Sequence, residues 1–96
     1  MAEIEWTTEA EMWLKDIHDY IALDNPTAAY RVLMEIREKV QLLKEFPDMG
    51  FIYSSEPEGN IRILLYGHYR IAYIHFNDTV YILGIFHGAL DIEKYI

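Results

Sequence analysis

The sequence predicts an α+β domain in which two antiparallel helices pack on one face of a small, mainly antiparallel sheet. Three observations lead there. Two apolar stripes of helical period occupy the first half, three β-rich runs with short punctuation occupy the second, and no linker-like stretch divides them. With 96 residues, 52% of them hydrophobic and 25% charged, the chain matches one compact domain spanning 1–96. The order reads β-α-α-β-β-β with a short C-terminal helical tail.

The opening strand is "IEW", Ile4 to Trp6, a short apolar-polar-apolar stretch. Thr8, Glu9, Ala10 and Glu11 follow as a capping box. Ala10, Trp13, Leu14, Ile17 and Ile21 then recur at helical spacing, predicting a helix from about Thr8 to Leu23 with Glu9, Glu11, Lys15, Asp16 and Asp19 largely on its other side. "LDNP" stops it. Asn25 caps a second helix with Pro26 at its first position, and Ala29, Val32, Leu33, Ile36, Val40 and Leu43 form a stripe running to about Phe46. The short link makes the two helices antiparallel.

"FPDMG" closes the helical half, and after a brief apolar "FIY" the stretch "SSEPEGN", Ser54 to Asn60, has no period and reads as a loop. "IRILL", "YRIAYIHF" and "TVYILGIFH" are then three strands of a meander, separated by "YGH" and "ND". "GALDIEKYI" has the composition of one or two helical turns.

Composition excludes several classes. No apolar run reaches the length of a membrane span, and the acidic start "MAEIEWTTEAEMW" lacks the basic and apolar regions of a signal peptide, so a soluble cytoplasmic protein is expected. The absence of cysteine removes disulfide and thiolate chemistry and leaves only the four histidines and carboxylates as metal ligands. His18 has no second ligand one turn on, so it reads as a solvated helix position, and neither a metal nor a cofactor is implied. A formal net charge of -8 repels polyanions, which argues against direct DNA binding by the chain alone. Eight tyrosines invite a base-stacking role, yet only Arg62 and Arg70 accompany them in the strand half before the tail. Most of them, with Trp6 and Trp13, read as core and interface residues.

Arg70 is the residue to explain. A two-residue turn at Asn77 and Asp78 would pair Phe76 with Thr79, Ile74 with Tyr81, Ala72 with Leu83, Arg70 with Ile85 and His68 with His87. One face then carries Arg70, Ala72, Ile74, Tyr81, Leu83, Ile85, His68 and His87; the other carries Tyr69, Ile71, Tyr73, His75, Val80, Ile82, Gly84 and Phe86. Because a buried, unpaired guanidinium is costly, the helices are assigned to the Ile71, Tyr73, Val80, Ile82 and Phe86 face, where His75 and Tyr73 take hydrogen-bonded, partly buried roles. The Arg70 face needs another cover. Either Arg70 pairs with a carboxylate such as Asp91 and orients the tail, or it marks a site for an anion or a partner.

"AEMWLKDIHDYIA", "DNPTAAYRVLMEI", "LLKEFPDMG", "NIR", "GHYRIAYIH" and "VYILGIFHGALDI", weak singly, are specific in this order and spacing. Over nearly the whole chain they resemble the ParE/RelE superfamily of bacterial type II toxin-antitoxin toxins and plasmid stabilisation proteins, closer to its ParE-like members. The resemblance implies a β-α-α-β-β-β toxin neutralised by a cognate antitoxin that wraps it. RelE-like members cleave messenger RNA on the ribosome, whereas ParE-like members inhibit DNA gyrase. Ile61, Arg62, Ile63, Leu64 and Leu65 carry one cation where RelE-like members place catalytic lysines, and Leu90 replaces the arginine common in "HGARDI". These departures favour the gyrase branch. The implied binding residues are Arg62, His68, Arg70, Tyr81, Leu83, His87, Leu90 and Asp91. For the nuclease alternative, Arg70 would stabilise phosphate charge and His87 or Tyr95 would move protons. The ordinary reading of His87 is a residue that satisfies a strand end, and a toxin fold that only binds its antitoxin is the third expectation.

Overall fold

The structure is a computed structural model and describes residues 1–88. Its elements are β1 (Glu3–Trp6), α1 (Thr8–Ala22), α2 (Pro26–Gln41), a 3-10 turn (Leu42–Lys44), β2 (Phe51–Glu56), β3 (Gly59–Tyr66), β4 (Tyr69–Phe76) and β5 (Thr79–His87). They form one five-stranded sheet of order β1-β5-β4-β3-β2, antiparallel except where β1 runs parallel to β5. The expected α+β architecture is present. The tail expected beyond Gly88 lies outside the described residues.

Two local expectations are corrected. Thr7, not Thr8, caps α1: its hydroxyl accepts from the Ala10 amide at 3.1 Å and donates to the Ile82 carbonyl at 2.6 Å, tying the helix start to β5. Glu11 is thereby released to meet both terminal nitrogens of Arg37 on α2, whose guanidinium also lies 4.8 Å over the Trp6 ring. The stretch read as a loop, Ser54 to Asn60, is instead the closed end of a β2–β3 hairpin, with Ser54 to Glu56 in β2, Gly59 and Asn60 in β3, and only Pro57 and Glu58 as the turn. Its polar composition hid a strand because β2 is an exposed edge with a register irregularity at Tyr53, and therefore carries no buried alternation.

The helical pair forms as read. Asn25 caps α2 by accepting from the Ala28 amide at 3.0 Å, with Pro26 at the first helical position. Ala10 and Leu14 of α1 and Ile36 and Val40 of α2 are buried against Leu64, Ile71, Tyr73, Val80, Ile82 and Ile85 of the sheet. Leu43 extends that core from the 3-10 turn.

Register around the β4–β5 turn departs from the simple expectation at one point. Asn77 and Asp78 both adopt left-handed conformations (φ 51° and 61°), the turn that matches strand twist, and Phe76–Thr79, Ile74–Tyr81 and Tyr73–Ile82 pair accordingly. Beyond Tyr73 the ladder slips: Ala72 faces Gly84, Arg70 faces Phe86 and Tyr69 faces His87. Leu83 is the extra residue. The expected pairs Ala72–Leu83, Arg70–Ile85 and His68–His87 are therefore corrected, and Ile85, rather than Phe86, joins the helix-side core. Phe86 turns to the opposite face with Ala72 and Ile63, its ring folded across Gly84, where an added Cβ would come within 2.6 Å. Among the described residues β1 pairs only with Thr79 to Ile82 of β5, and beyond that pairing Trp13 of α1 meets Phe86 with ring centroids 4.8 Å apart.

A polar cluster fastens the Pro47–Gly50 connection beneath this core. The Gly50 amide donates to the hydroxyl of fully buried Tyr73 at 2.9 Å, and Gly50 itself is required because a Cβ would approach Tyr73 and the Ile63 carbonyl at 2.8 Å. Arg62 donates to the Asp48 and Gly50 carbonyls, while His75 Nδ1 lies 3.0 Å from the Asp48 carboxylate. His75 and Tyr73 thus occupy the face and the hydrogen-bonded roles expected of them. On the α2 side, the Tyr66 hydroxyl donates to Glu35. That bond, then burial and the Glu35 charge, push the Tyr66 pKa up to about 12.

Tyr73→Phe leaves the buried Gly50 amide without its acceptor, so chemical denaturation is expected to show a loss of about 1–3 kcal/mol with an unchanged m-value. A loss below the error of the measurement would refute the assignment of this bond.

Alkaline stability supplies a second check. The folded pKa of Tyr66 lies above the ordinary value of 10.0, so its contribution is intact below pH 10 and declines as pH rises towards about 12. Tyr66→Phe is expected to flatten stability over that window, measured by denaturant midpoints. An identical decline in both proteins would exclude the effect.

Candidate functional site

Arg70 is half-buried on the sheet face away from the main helix-side core, with Leu65 across on β3 and Phe86 across on β5. Its position follows from strand alternation: Ile71 and Tyr73 point into the helix-side core, so Arg70, Ala72 and Ile74 point the other way. Nη2 donates to the Gly88 carbonyl at 3.0 Å, and the Gly88 amide donates to the His68 carbonyl at 2.7 Å. The arginine is thereby tied to the point where the chain leaves β5.

The slip at Leu83 separates two candidates expected on one face. His87 pairs with Tyr69, on the helix side of the sheet, and its ring meets Tyr69 edge-on with centroids 5.8 Å apart. His68, in the β3–β4 turn, still approaches His87 with ring centroids 6.3 Å apart and planes 29° apart. Both imidazoles are exposed. They form a rim at the sheet end, with His87 on the opposite side of the sheet from Arg70.

Tyr81 and Leu83 are half-buried on the Arg70 side of β5, where Leu83 packs against buried Ile63, Ala72 and Phe86. Phe51 and Leu65 continue this face towards β2 and remain more than half exposed, at 52% and 55%. The face is therefore an apolar band with a filled centre, open flanks and Arg70 at one end.

Arg62 does not belong to it. Arg62 pairs with Tyr73 across β3 and β4, and so projects to the helix side, where the carbonyls of Asp48 and Gly50 hold its guanidinium at 3.0 and 2.8 Å. Of the remaining sequence candidates, Leu90, Asp91 and Tyr95 lie outside the described residues. His18 lies beside Asp19, with Nδ1 3.1 Å from the carboxylate. Among the described residues, no cluster of three or more histidine, aspartate or glutamate side chains has the geometry to hold a metal.

Sequence reasoning missed Asp48, Glu35 and the Arg37–Glu11 pair, all of which act through contacts distant in the chain. A signal for Arg62 existed. Had the Gly67–His68 turn been used to pair "IRILLY" with "YRIAYIHF", Tyr66 would have met Tyr69 and Arg62 would have met Tyr73, on the helix side.

A groove of about 520 Å³ runs along β1, lined by Ala2, Glu3, Ile4, Trp6, Gln41 and Lys44, and includes none of the Arg70 group. The Arg70 end offers a surface with donors and apolar flanks, chemistry suited to gripping a macromolecule.

The family model described as ParE toxin of type II toxin-antitoxin system, parDE, matches residues 4–92. Toxin RelE2 of Caulobacter vibrioides is 29% identical over 89 residues, spanning 93% of this chain and 98% of that protein. A solved structure of the chromosomal ParDE TA system from P. aeruginosa aligns with a TM-score of 0.74 at 25% identity, covering 91% of this chain and 96% of that one. With nearly its whole length matched by the family model and its fold shared with that structure, the chain belongs to the ParE toxin family of type II toxin-antitoxin systems.

Proposed function

We propose that this toxin arrests growth by binding DNA gyrase through protein contacts centred on Arg70 and the adjoining apolar band, and that a cognate antitoxin neutralises it. The observation that carries this reading over RNA cleavage is the orientation of Arg62. Phosphoryl chemistry on RNA needs several groups converging on the developing charge, and the one cation of β3 is turned to the helix side and held by the carbonyls of Asp48 and Gly50. Arg70 then faces outward without help from β3. His87 leans on Tyr69, on the other side of the sheet from Arg70, which separates the candidate proton donor from the candidate phosphate ligand.

Support for a protein partner comes from the exposed flanks of the Arg70 face and from the net charge of -8, which disfavours a polyanion. The P. aeruginosa ParDE structure supports a partner antitoxin for this chain as well. Among the described residues, no helix is long and apolar enough to cross a membrane.

Purified toxin is expected to inhibit gyrase in a DNA supercoiling assay, and inhibition is expected to disappear when the antitoxin is added. Full supercoiling at saturating toxin would refute the target. Codon-periodic cleavage of transcripts in arrested cells would establish the nuclease instead, and an absence of any growth defect would leave only antitoxin binding.

Arg70→Ala is expected to abolish growth arrest while the protein stays folded, as read by circular dichroism, although the variant loses the bond to the Gly88 carbonyl. Arg62→Ala should do the reverse, loosening the Pro47–Gly50 connection and shifting the denaturation midpoint while a folded fraction stays toxic. If the two variants exchanged these phenotypes, the assignment of Arg70 to the binding face would be overturned.

A further inference from the structure

The solvent side of the helical hairpin is the second uncovered surface. Met12, Tyr20 and Leu23 of α1 and its C-terminal end are 60%, 78% and 86% exposed, and Tyr30 of α2 is 63% exposed. Met12, Asp16, Tyr20 and Leu23 follow at four-, four- and three-residue steps, so they lie along one side of α1 and extend over about 16 Å at 1.5 Å per residue. At the end of that line, Tyr20, Ile21, Leu23, Asp24 and Asn25 enclose a groove of about 400 Å³.

Charge is concentrated in the same segment. Residues 1–25 contain seven carboxylates against the single Lys15, so this quarter of the chain carries -6 of the net -8. Lys15 is taken up by Asp19 at 2.6 Å and Glu11 by Arg37, while no described ion pair involves Glu9, Asp16 or Asp24. Apolar anchors flanked by carboxylates match a ligand that alternates apolar and cationic groups at helical spacing.

We propose that the outer side of α1, from Glu9 to Asp24, is a docking surface for a cationic amphipathic helix of a partner protein. Three turns of such a helix would span the line from Met12 to Leu23. Its apolar side chains would cover Met12, Tyr20 and Leu23, and its lysines or arginines would meet Glu9, Asp16 and Asp24. The inference rests on the antitoxin reading for the expectation of a partner and adds the chemistry of the segment that binds here. It places that segment on the helical side of the molecule, leaving Arg70 on the opposite face.

The test is an NMR titration of the isotope-labelled full chain with an amphipathic Leu/Lys peptide of about 15 residues, alongside a Leu/Glu peptide of the same pattern. Shift changes are expected along α1 and the α1–α2 link with the Leu/Lys peptide alone. The double variant Glu9→Lys, Asp16→Lys, both at exposed positions, should weaken binding about tenfold, as should Tyr20→Ser with Leu23→Ser. Unaltered affinity in the charge-reversed protein, equal binding of the Leu/Glu peptide, or shifts centred on β2 or on Arg70 would overturn the proposal. Growth arrest and supercoiling report only the preceding reading, so the two can fail separately.

Discussion

One extra residue in β5 determines what each side of the sheet presents. Without the slip at Leu83, strict alternation after Ile82 would send Phe86 into the helix-side core and Ile85 to the outer face. With it, the smaller Ile85 closes the core under α1 and α2, and the large ring crosses Gly84 to fill the centre of the other face with Ile63 and Ala72. Trp13 reaches that ring beyond the point where β1 ends, at Trp6 opposite Ile82. The second face therefore has a fixed packed centre, against which a partner can dock without first ordering the sheet.

The same slip sets the chemistry at the sheet end. It moves His87 opposite Tyr69 and Phe86 opposite Arg70, so Arg70 has an aromatic ring, not the side chain of Ile85, as its cross-strand neighbour. On the other side of β4, the Pro47–Gly50 connection uses up Arg62 and His75 on Asp48 and on backbone carbonyls. Two of the three basic groups on β3 and β4 are thus committed to holding a loop. Arg70 is the one that alternation directs outward.

How far the fold could be read from residues follows from where the information lies. Helix positions, the Asn25 cap, the antiparallel hairpin and the left-handed Asn77–Asp78 turn are set by local chemistry, and the structure has all of them. The α1 cap was displaced by one residue because Thr7 and Thr8 are equivalent locally, and only the Ile82 carbonyl on β5 distinguishes them. β2 was invisible because an exposed edge strand has no apolar period to detect. The bulge had a clue in Gly84, but its consequence for Ile85 and Phe86 depends on the ring packing across that glycine. For the site, the outward direction of Arg70 was readable from its neighbours, whereas the inward direction of Arg62 required pairing two strands across the Gly67–His68 turn.

Electrostatics ties the two surfaces together. A phosphate backbone approaching Arg70 gains one outward guanidinium against a molecule of charge -8, whereas proteins that hold nucleic acids offset several phosphates at once. The repulsion is concentrated on β1 and α1, and at physiological salt it reaches only about 8 Å, so the Arg70 face feels it weakly at close range. A folded protein can meet that face through its apolar flanks and place a carboxylate on Arg70 without crossing the acidic side. A ligand that must cover both sides has to change character along its length, acidic or neutral where it meets Arg70 and basic where it meets α1. Such an asymmetric chain would bind in one direction only, because reversing it brings like charges together at both ends.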